Sequence, residues 1–314
     1  CWRDVIMNSK DGIIGLAIGD AMGVPIEFCQ REKLMQNPIS QMIGYGSHDV
    51  PKGSWSDDTS MTLATIDSIS KNAKILPSDI ANNFIEWMKN AKYTPTEKVF
   101  GIGRTTLQAL ARCELMVEIA EEAGGNGEMD NGNGSLMRIL PVAYYCYSKR
   151  MKDEEILKEV KVVSSITHRH EISIMGCYIY TLFAIELLKG KNFKDAYNKI
   201  RKANYSYFSN DCICRYNRIL ENNITKYKID DIDSQGYVVN TLEATLWVLF
   251  NTKNYNQAII KAINLGNDTD TVGACVGGLA GIRYGLNSIN EVWKNNLLKY
   301  EYICKICEEF DKIL

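Results

Sequence analysis

Apolar residues recur three and four positions apart along most of the chain, as at Leu107, Leu110, Ala111 and Leu115, or at Ile174, Cys177, Tyr178, Thr181 and Leu182. That spacing lines one face of a helix, whereas the alternation of a half-buried strand is scarce. The pattern predicts helices over 11–22, 59–71, 78–91, 104–121, 135–147, 152–163, 170–189, 192–203, 238–251, 254–264, 270–284 and 299–313, hence an all-α protein. Pro77-Ser78-Asp79 and Asn192-Phe193-Lys194-Asp195 carry residue types that begin helices by satisfying free N–H groups. Segment 204–236 is the least periodic and reads as a long excursion or lid. No repeat, low-complexity tract or Ser/Gly/Pro-rich linker divides the chain, so 1–314 is read as a single domain.

Composition narrows what such a bundle does. With 314 residues, 46% of them hydrophobic, the chain buries a large core. Thirty-six basic against 38 acidic side chains leave a net charge of −2, without the basic footprint of a nucleic-acid or anionic-membrane binder. A nucleotide-sized ligand is compatible with that balance. The 10 cysteines are scattered rather than densely spaced, as expected of reduced thiols in a cytoplasmic, monomeric protein. Cys304 and Cys307 form a CxxC in the helical tail, but no second pair stands at zinc-binding spacing. No signal-peptide pattern is present, and the apolar and glycine run over 272–282 falls far short of the roughly 20 residues that span a bilayer. Only 3 histidines, at 48, 168 and 170, argue against a histidine-based zinc enzyme.

Two acidic strings stand directly ahead of helical patterns, residues 53–61 (GSWSDDTSM) and 266–273 (GNDTDTVG). Either one alone is explained by capping and the helix dipole. Together they hold more carboxylates and hydroxyls than two helix ends use. Carboxylates that converge repel one another and rise in pKa unless a cation neutralises them. Oxygen ligands without His or Cys select hard cations, Mg²⁺ or Mn²⁺ rather than Zn²⁺. Two such ions orient a substrate and a water together. Glycines at 12, 15, 19 and 23, and at 273, 277 and 281, recur at helical spacing. Each costs about 1 kcal/mol against alanine, so close helix packing beneath the acidic site is expected to compensate.

In this combination the chain resembles the ADP-ribosylglycohydrolase family, which includes the dinitrogenase reductase-activating glycohydrolases. The strings SDDTSM and GNDTDTVG resemble its paired aspartate motifs. Family-like segments accompany them at 19–28 (GDAMGVPIEF), 101–106 (GIGRTT), 131–138 (NGNGSLMR) and at Thr167-His168, so that the similarity spans roughly 11–285. The resemblance implies an orthogonal helical bundle with two Mg²⁺ or Mn²⁺ ions. It implies that Ser56, Asp57 and Asp58 hold them from one side and Asp268, Asp270 and Thr271 from the other, with Ser56 where many relatives carry threonine. Glu27 matches a gating or water-positioning glutamate.

The glycine-rich stretch 124–135 lacks the ending of a Walker loop but precedes a helical pattern near Leu136, so its backbone N–H groups are placed to cradle a diphosphate. By resemblance, Asn133, Gly134, Ser135, His168 and Gly103 contact ADP-ribose, while Met137 and Arg138 read equally as packing and structural ion-pairing residues.

The chain departs from the pattern at one point. Many bacterial relatives carry an aspartate where Phe100-Gly101-Ile102-Gly103-Arg104-Thr105 has Gly101, which removes a contact to a guanidinium substrate. The lost carboxylate weighs against an arginine acceptor; arginine is nonetheless the preferred one, with serine-linked and ester-linked ADP-ribose open. The implied reaction is hydrolysis at the anomeric carbon of the distal ribose, with Asp58 as base and Asp57 or Glu27 next in line. An ADP-ribose-binding pseudoenzyme and a two-metal nucleotide phosphoesterase are the alternatives. The presence of all four metal aspartates favours an enzyme.

Overall fold

In the computed structural model, which describes residues 8–115 and 117–314, each stretch with helical periodicity forms helix. Among the described residues the only extended pairings are two isolated bridges, Gly125 with His168 and Gly132 with Tyr237. The protein is all-α. Its buried apolar side chains join into one continuous core.

Several boundaries differ from the periodicity. The α-helix expected over 104–121 is described over Arg104–Leu115, and Val117–Glu122 is a 3-10 turn in which Ile119 has φ −135° and ψ 52°; residue 116 lies outside the described residues. The helix expected from 135 starts at Leu140, because Pro141 in its first turn has no N–H to continue an α-ladder from below. The short helices Arg31–Gln36, Asn210–Arg215, Asn217–Leu220 and Glu291–Asn296 are too brief to show a period.

The two glycine-bearing helices, Lys10–Gly23 and Thr269–Tyr284, make the most extensive pairing in the molecule. A Cβ on Gly15 would overlap the Gly277 carbonyl, one on Gly19 the Gly273 carbonyl, and the reverse holds for Gly277 and Gly273. Backbone therefore lies on backbone. The close packing expected from the glycine spacing is present.

Glu171–Leu188 is long and apolar enough to cross a membrane, but 89% of it is buried inside the protein, as befits a central core helix. The C-terminal helix Tyr300–Asp311 packs on Asp57–Asn72 and on Lys10–Gly23. Its Cys304 and Cys307 are buried beside Ile303 and Phe310, so the CxxC is part of the core.

Segment 204–236 is an excursion pinned at several points. Tyr216 is buried and donates to the Ile172 carbonyl at 2.6 Å. The Arg31 guanidinium donates to the carbonyls of Leu265 (2.6 Å), Ile229 (2.8 Å) and Ile232 (2.6 Å), tying the end of the excursion to the second acidic string.

Gly277→Leu is expected to lower the yield of folded protein, and the milder Gly19→Ala to cost about 1–3 kcal/mol through overpacking. Thermal melts check both; parental melting temperatures would mean that the two backbones are not in contact.

Candidate active site

Helix Asp57–Asn72 starts at Ser56, whose Oγ accepts the Asp58 N–H at 3.3 Å and donates to Asp58 Oδ2 at 3.0 Å. Its other free N–H groups are served from a different helix. Asp20, fully buried in Lys10–Gly23, accepts the Ser56 N–H at 2.9 and 3.1 Å, the Thr59 N–H at 3.0 Å and the Thr59 hydroxyl at 2.6 Å. Burial pushes the Asp20 carboxyl up to about 6, against the lowering pull of those bonds. With the cap already made, the Asp57 and Asp58 carboxylates are surplus to the helix they begin.

The second string is held just as tightly. The Asp268 N–H donates to the Ser234 carbonyl at 3.0 Å, and Asp268 Oδ2 accepts from Asn133 Nδ2 at 2.7 Å. The Thr269 hydroxyl donates to the Gly23 carbonyl at 2.8 Å, which locks this helix end against the first. Gly266 and Asn267, both at positive φ (78° and 60°), turn the chain so that the Asn267 carbonyl accepts the Phe28 N–H at 2.6 Å. Glu27 is thereby carried to the same place. Oxygens of Glu27, Asp268 and Asp270 lie within 4.8 Å of one another, and the Thr271 hydroxyl stands 3.4 Å from Asp58 Oδ2. The two strings converge.

They converge on a cleft of about 340 Å³ lined by Glu27, Asp57, Asp58, Asp268, Asp270 and Thr271, and further along by Gly103, Asn133, Gly134 and His168. Burial first, and then repulsion from neighbouring carboxylates, led by Asp20 for Asp57 and Asp58 and by Glu27 for Asp270, holds the carboxyls of Asp57, Asp58 and Asp270 well above the usual carboxylate range. Among the described residues no lysine or arginine pairs with these aspartates; Glu27 alone has a titratable partner, a short contact to His48 Nε2. Asp58 Oδ1 is buried and has no hydrogen-bond partner. An orphaned carboxylate oxygen inside a ring of oxygen donors fits a hard cation, and among the described residues no cationic side chain is paired with these aspartates to supply that charge.

The glycine-rich end differs in part from expectation. Asn133 directs Nδ2 at Asp268 and at the Thr241 hydroxyl (2.9 Å), while its own N–H is taken by the Gly236 carbonyl at 3.0 Å. Gly134 lines the cleft against the His168 ring, and Gly103 has open space where a Cβ would stand. Ser135 is not at the cleft surface: its fully buried hydroxyl lies 3.0 Å from Ser164 Oγ and 3.3 Å from Cys177 Sγ, because the 3-10 turn Asn133–Ser135 points it inward. As the next α-helix begins only at Leu140, the loop is not itself a helix N-terminus.

His168 is buried, and its Nδ1 sits 2.8 Å from Thr167 Oγ1. That hydroxyl already receives Arg138 Nη2 at 2.7 Å, so its own proton is free for Nδ1, an arrangement that favours the ring proton on Nε2 beside Gly132 and Gly134. Burial, with the Arg138 charge nearby, lowers His168 to about 3. It is a neutral donor at the cleft wall. Arg138 has no carboxylate partner; it lies 4.6 Å from the Phe84 ring and donates to the Val163 carbonyl at 3.3 Å, so it packs rather than ion-pairs.

Sequence reasoning left Asp20, His48 and the Arg138–Thr167 support unassigned. A lone carboxylate inside the otherwise apolar, small-residue run 12–23 is the signal that marks Asp20. For His48, in a loop without periodicity, no such signal exists.

Comparison with known proteins agrees with this geometry. The family model described as ADP-ribosylglycohydrolase matches residues 5–313. The chain is 31% identical over 306 residues to ADP-ribosylarginine hydrolase Tri1 of Serratia proteamaculans (strain 568), covering 96% of this chain and 78% of that protein. It is 26% identical to the ADP-ribosyl-[dinitrogen reductase] glycohydrolase of Rhodospirillum rubrum, covering 90% and 88%. A solved structure described as an ADP-ribosylglycohydrolase-related protein complex superposes with a TM-score of 0.79 at 25% identity, covering 98% of both chains. Facing aspartate strings, an all-α frame and a match along nearly the whole sequence lead to one conclusion: the chain belongs to the ADP-ribosylglycohydrolase family and is an enzyme of the ADP-ribosyl glycohydrolase class.

Proposed function

We propose that this protein is a divalent-metal-dependent hydrolase that releases ADP-ribose from an ADP-ribosylated side chain, with arginine the preferred acceptor. The observation that carries it is the meeting of Asp58 and Thr271 across the cleft, with Asp58 Oδ1 left unpartnered amid Asp57, Asp268 and Asp270. The similarity to ADP-ribosylarginine hydrolases supports the acceptor. Ser56, Asp57, Asp58, Asp268, Asp270 and Thr271 would hold two Mg²⁺ or Mn²⁺ ions, which supply positive charge against the ribose hydroxyls and acidify a bound water.

The chain's own residues perform the rest. Asp58 takes the proton of the attacking water; its Oδ2 is steered by the Ser56 and Thr271 hydroxyls, at 3.0 and 3.4 Å. Asp57 and Glu27 are the carboxylates next in line. His168 Nε2–H and the Gly132–Gly134 loop present neutral donors and bare backbone to the diphosphate. Burial of Asp57, Asp58 and Asp270 removes competing bulk water from the reacting ribose.

Asp58→Asn is expected to lower kcat at least ~100-fold, as loss of a general base does, while leaving the melting transition cooperative. Free ADP-ribose released from arginine-linked, serine-linked and acetyl-ester substrates is the readout. Turnover that survives complete chelation would sink metal dependence, and AMP as the product would point to a phosphoesterase instead.

A second expectation concerns stability. Without a cation the folded-state pKa of Asp270 lies above its unfolded value, so its contribution to stability is present at acid pH and lost as pH rises through the folded pKa. At pH 7 in chelator, Asp270→Asn should therefore melt higher than the parent, by about 1.5 °C for each kcal/mol of repulsion relieved. In saturating Mg²⁺ or Mn²⁺ the order should reverse, since ligand at about 100 times its Kd adds roughly 2.7 kcal/mol to a protein that binds it. Melting curves that keep one order in both conditions would contradict a cation site at Asp270.

A further inference from the structure

The cleft has two electrically different ends. Arg104 is the one lysine or arginine among its lining residues, and it belongs to the end where its Nη2 donates to the Met129 carbonyl at 3.1 Å and pairs with Asp130 Oδ1 at 3.7 Å, close to the Gly125–His168 bridge. That end offers an arginine, a neutral histidine donor and glycine backbone. The other end is Glu27 and Phe28, with Asp57 beside Gly101. It offers carboxylates and an aromatic ring.

Phe28 is 71% exposed, and its backbone sits at φ 66°, a conformation a bulky residue adopts only when its surroundings impose it. They do so here through two bonds to the second acidic string: the Phe28 N–H to the Asn267 carbonyl at 2.6 Å and the Asn267 N–H to the Cys29 carbonyl at 2.8 Å. The ring is backed by others. Its centroid lies 6.2 Å from the His48 ring, which lies 4.9 Å from Phe100. His48 is fixed by its contact with Glu27, and the Lys98 ammonium donates to the His48 carbonyl at 3.2 Å. The protein thus accepts backbone strain to hold an apolar ring in solvent at the acidic end of its cleft.

A substrate cut at the anomeric carbon extends two ways from the carboxylates, with the diphosphate on one side and the leaving group on the other. The anionic half is drawn to the Arg104–His168 end. The leaving group then lies over Phe28. A ring face beside Glu27 attracts a planar cation and gives nothing to a phosphate. We propose that Phe28, backed by His48 and Phe100, is the platform on which the acceptor's guanidinium stacks. Arginine recognition then comes from a ring face at 28 and not from a side chain at 101. This assignment rests on the glycohydrolase reading and names the part of the cleft that selects the acceptor.

The test is a comparison of binding in a turnover-stalled Asp58→Asn background with Mg²⁺ present, using calorimetry with ADP-ribosylarginine and with free ADP-ribose. In that background Phe28→Leu should weaken ADP-ribosylarginine by about ten-fold, while free ADP-ribose changes by less than about two-fold. Phe28→Trp, which keeps a ring face, should retain the preference. Because the side chain is largely exposed, neither change disturbs the core.

Equal losses for both ligands would mean that the ring stacks on the nucleobase, and would overturn the platform. So would a Phe28→Leu protein that binds both ligands as its background does. If neither this background nor the parent protein binds free ADP-ribose with Mg²⁺ present, the ADP-ribose site on which the proposal rests falls and the platform with it, a result distinct from loss of the arginine preference alone.

Discussion

Two helices of this protein touch backbone to backbone, and the position of every carboxylate in the cleft follows from that contact. Gly15 and Gly19 of Lys10–Gly23 meet Gly277 and Gly273 of Thr269–Tyr284 with no room for a side chain between them. One helix ends in the turn that presents Glu27, and carries Asp20 on the way. The other begins with Asp268 and Asp270. Their separation is set by main-chain atoms, which cannot repack as side chains do. The Thr269 hydroxyl bond to the Gly23 carbonyl closes the seam at the cleft end. Helical glycine is costly in isolation; here the same residues let two acidic ends be fixed rigidly at short range.

What is fixed there is electrostatically unfavourable, and the rest of the site shows how that is tolerated. Asp20 contributes a buried carboxylate to the capping of a helix that already has Ser56, which frees Asp57 and Asp58 from the work that acidic residues at a helix start ordinarily do. The consequence is carboxyls pushed upward in pKa by burial and by one another. A site of this kind holds repulsion that a bound cation would relieve. Arg31 and Ser234 restrain the neighbouring loop, which keeps the repulsion from being relieved by movement.

Much of this was legible in the sequence because it is periodic or dense. The long helices, the glycine spacing and the two acidic strings announce themselves locally, and Glu27 through the resemblance of its segment. Less legible were features that depend on what lies opposite. Ser135 reads as a ligand contact beside Asn133 and Gly134, yet a 3-10 turn followed by Pro141 rotates its hydroxyl toward Ser164. Segment 204–236 reads as an excursion or lid since it has no period; buried anchors such as Tyr216 and the Arg31 fork make it an excursion clamped to the acidic loop. Asp20 acts on residues 36 and 39 positions away in the chain. No local pattern encodes that.

Gly101 shows how one position couples chemistry to recognition. At φ 83°, with the place of its Cβ overlapping Asp57 Oδ1, it admits no side chain unless Asp57 moves. A carboxylate at 101 would add charge against an aspartate that burial already disfavours in its ionised form. The bare backbone instead passes close to Asp57 and leaves its carboxylate in place. The cost is that position 101 has no group with which to bind a cationic leaving group. Recognition must then come from residues that bring no further negative charge to the site. An aromatic face meets that condition: it attracts a cation through its quadrupole and adds no negative charge beside the carboxylates. Absence of a side chain at 101 and exposure of a ring at 28 are thus two answers to one constraint, the amount of negative charge that this cleft can bear.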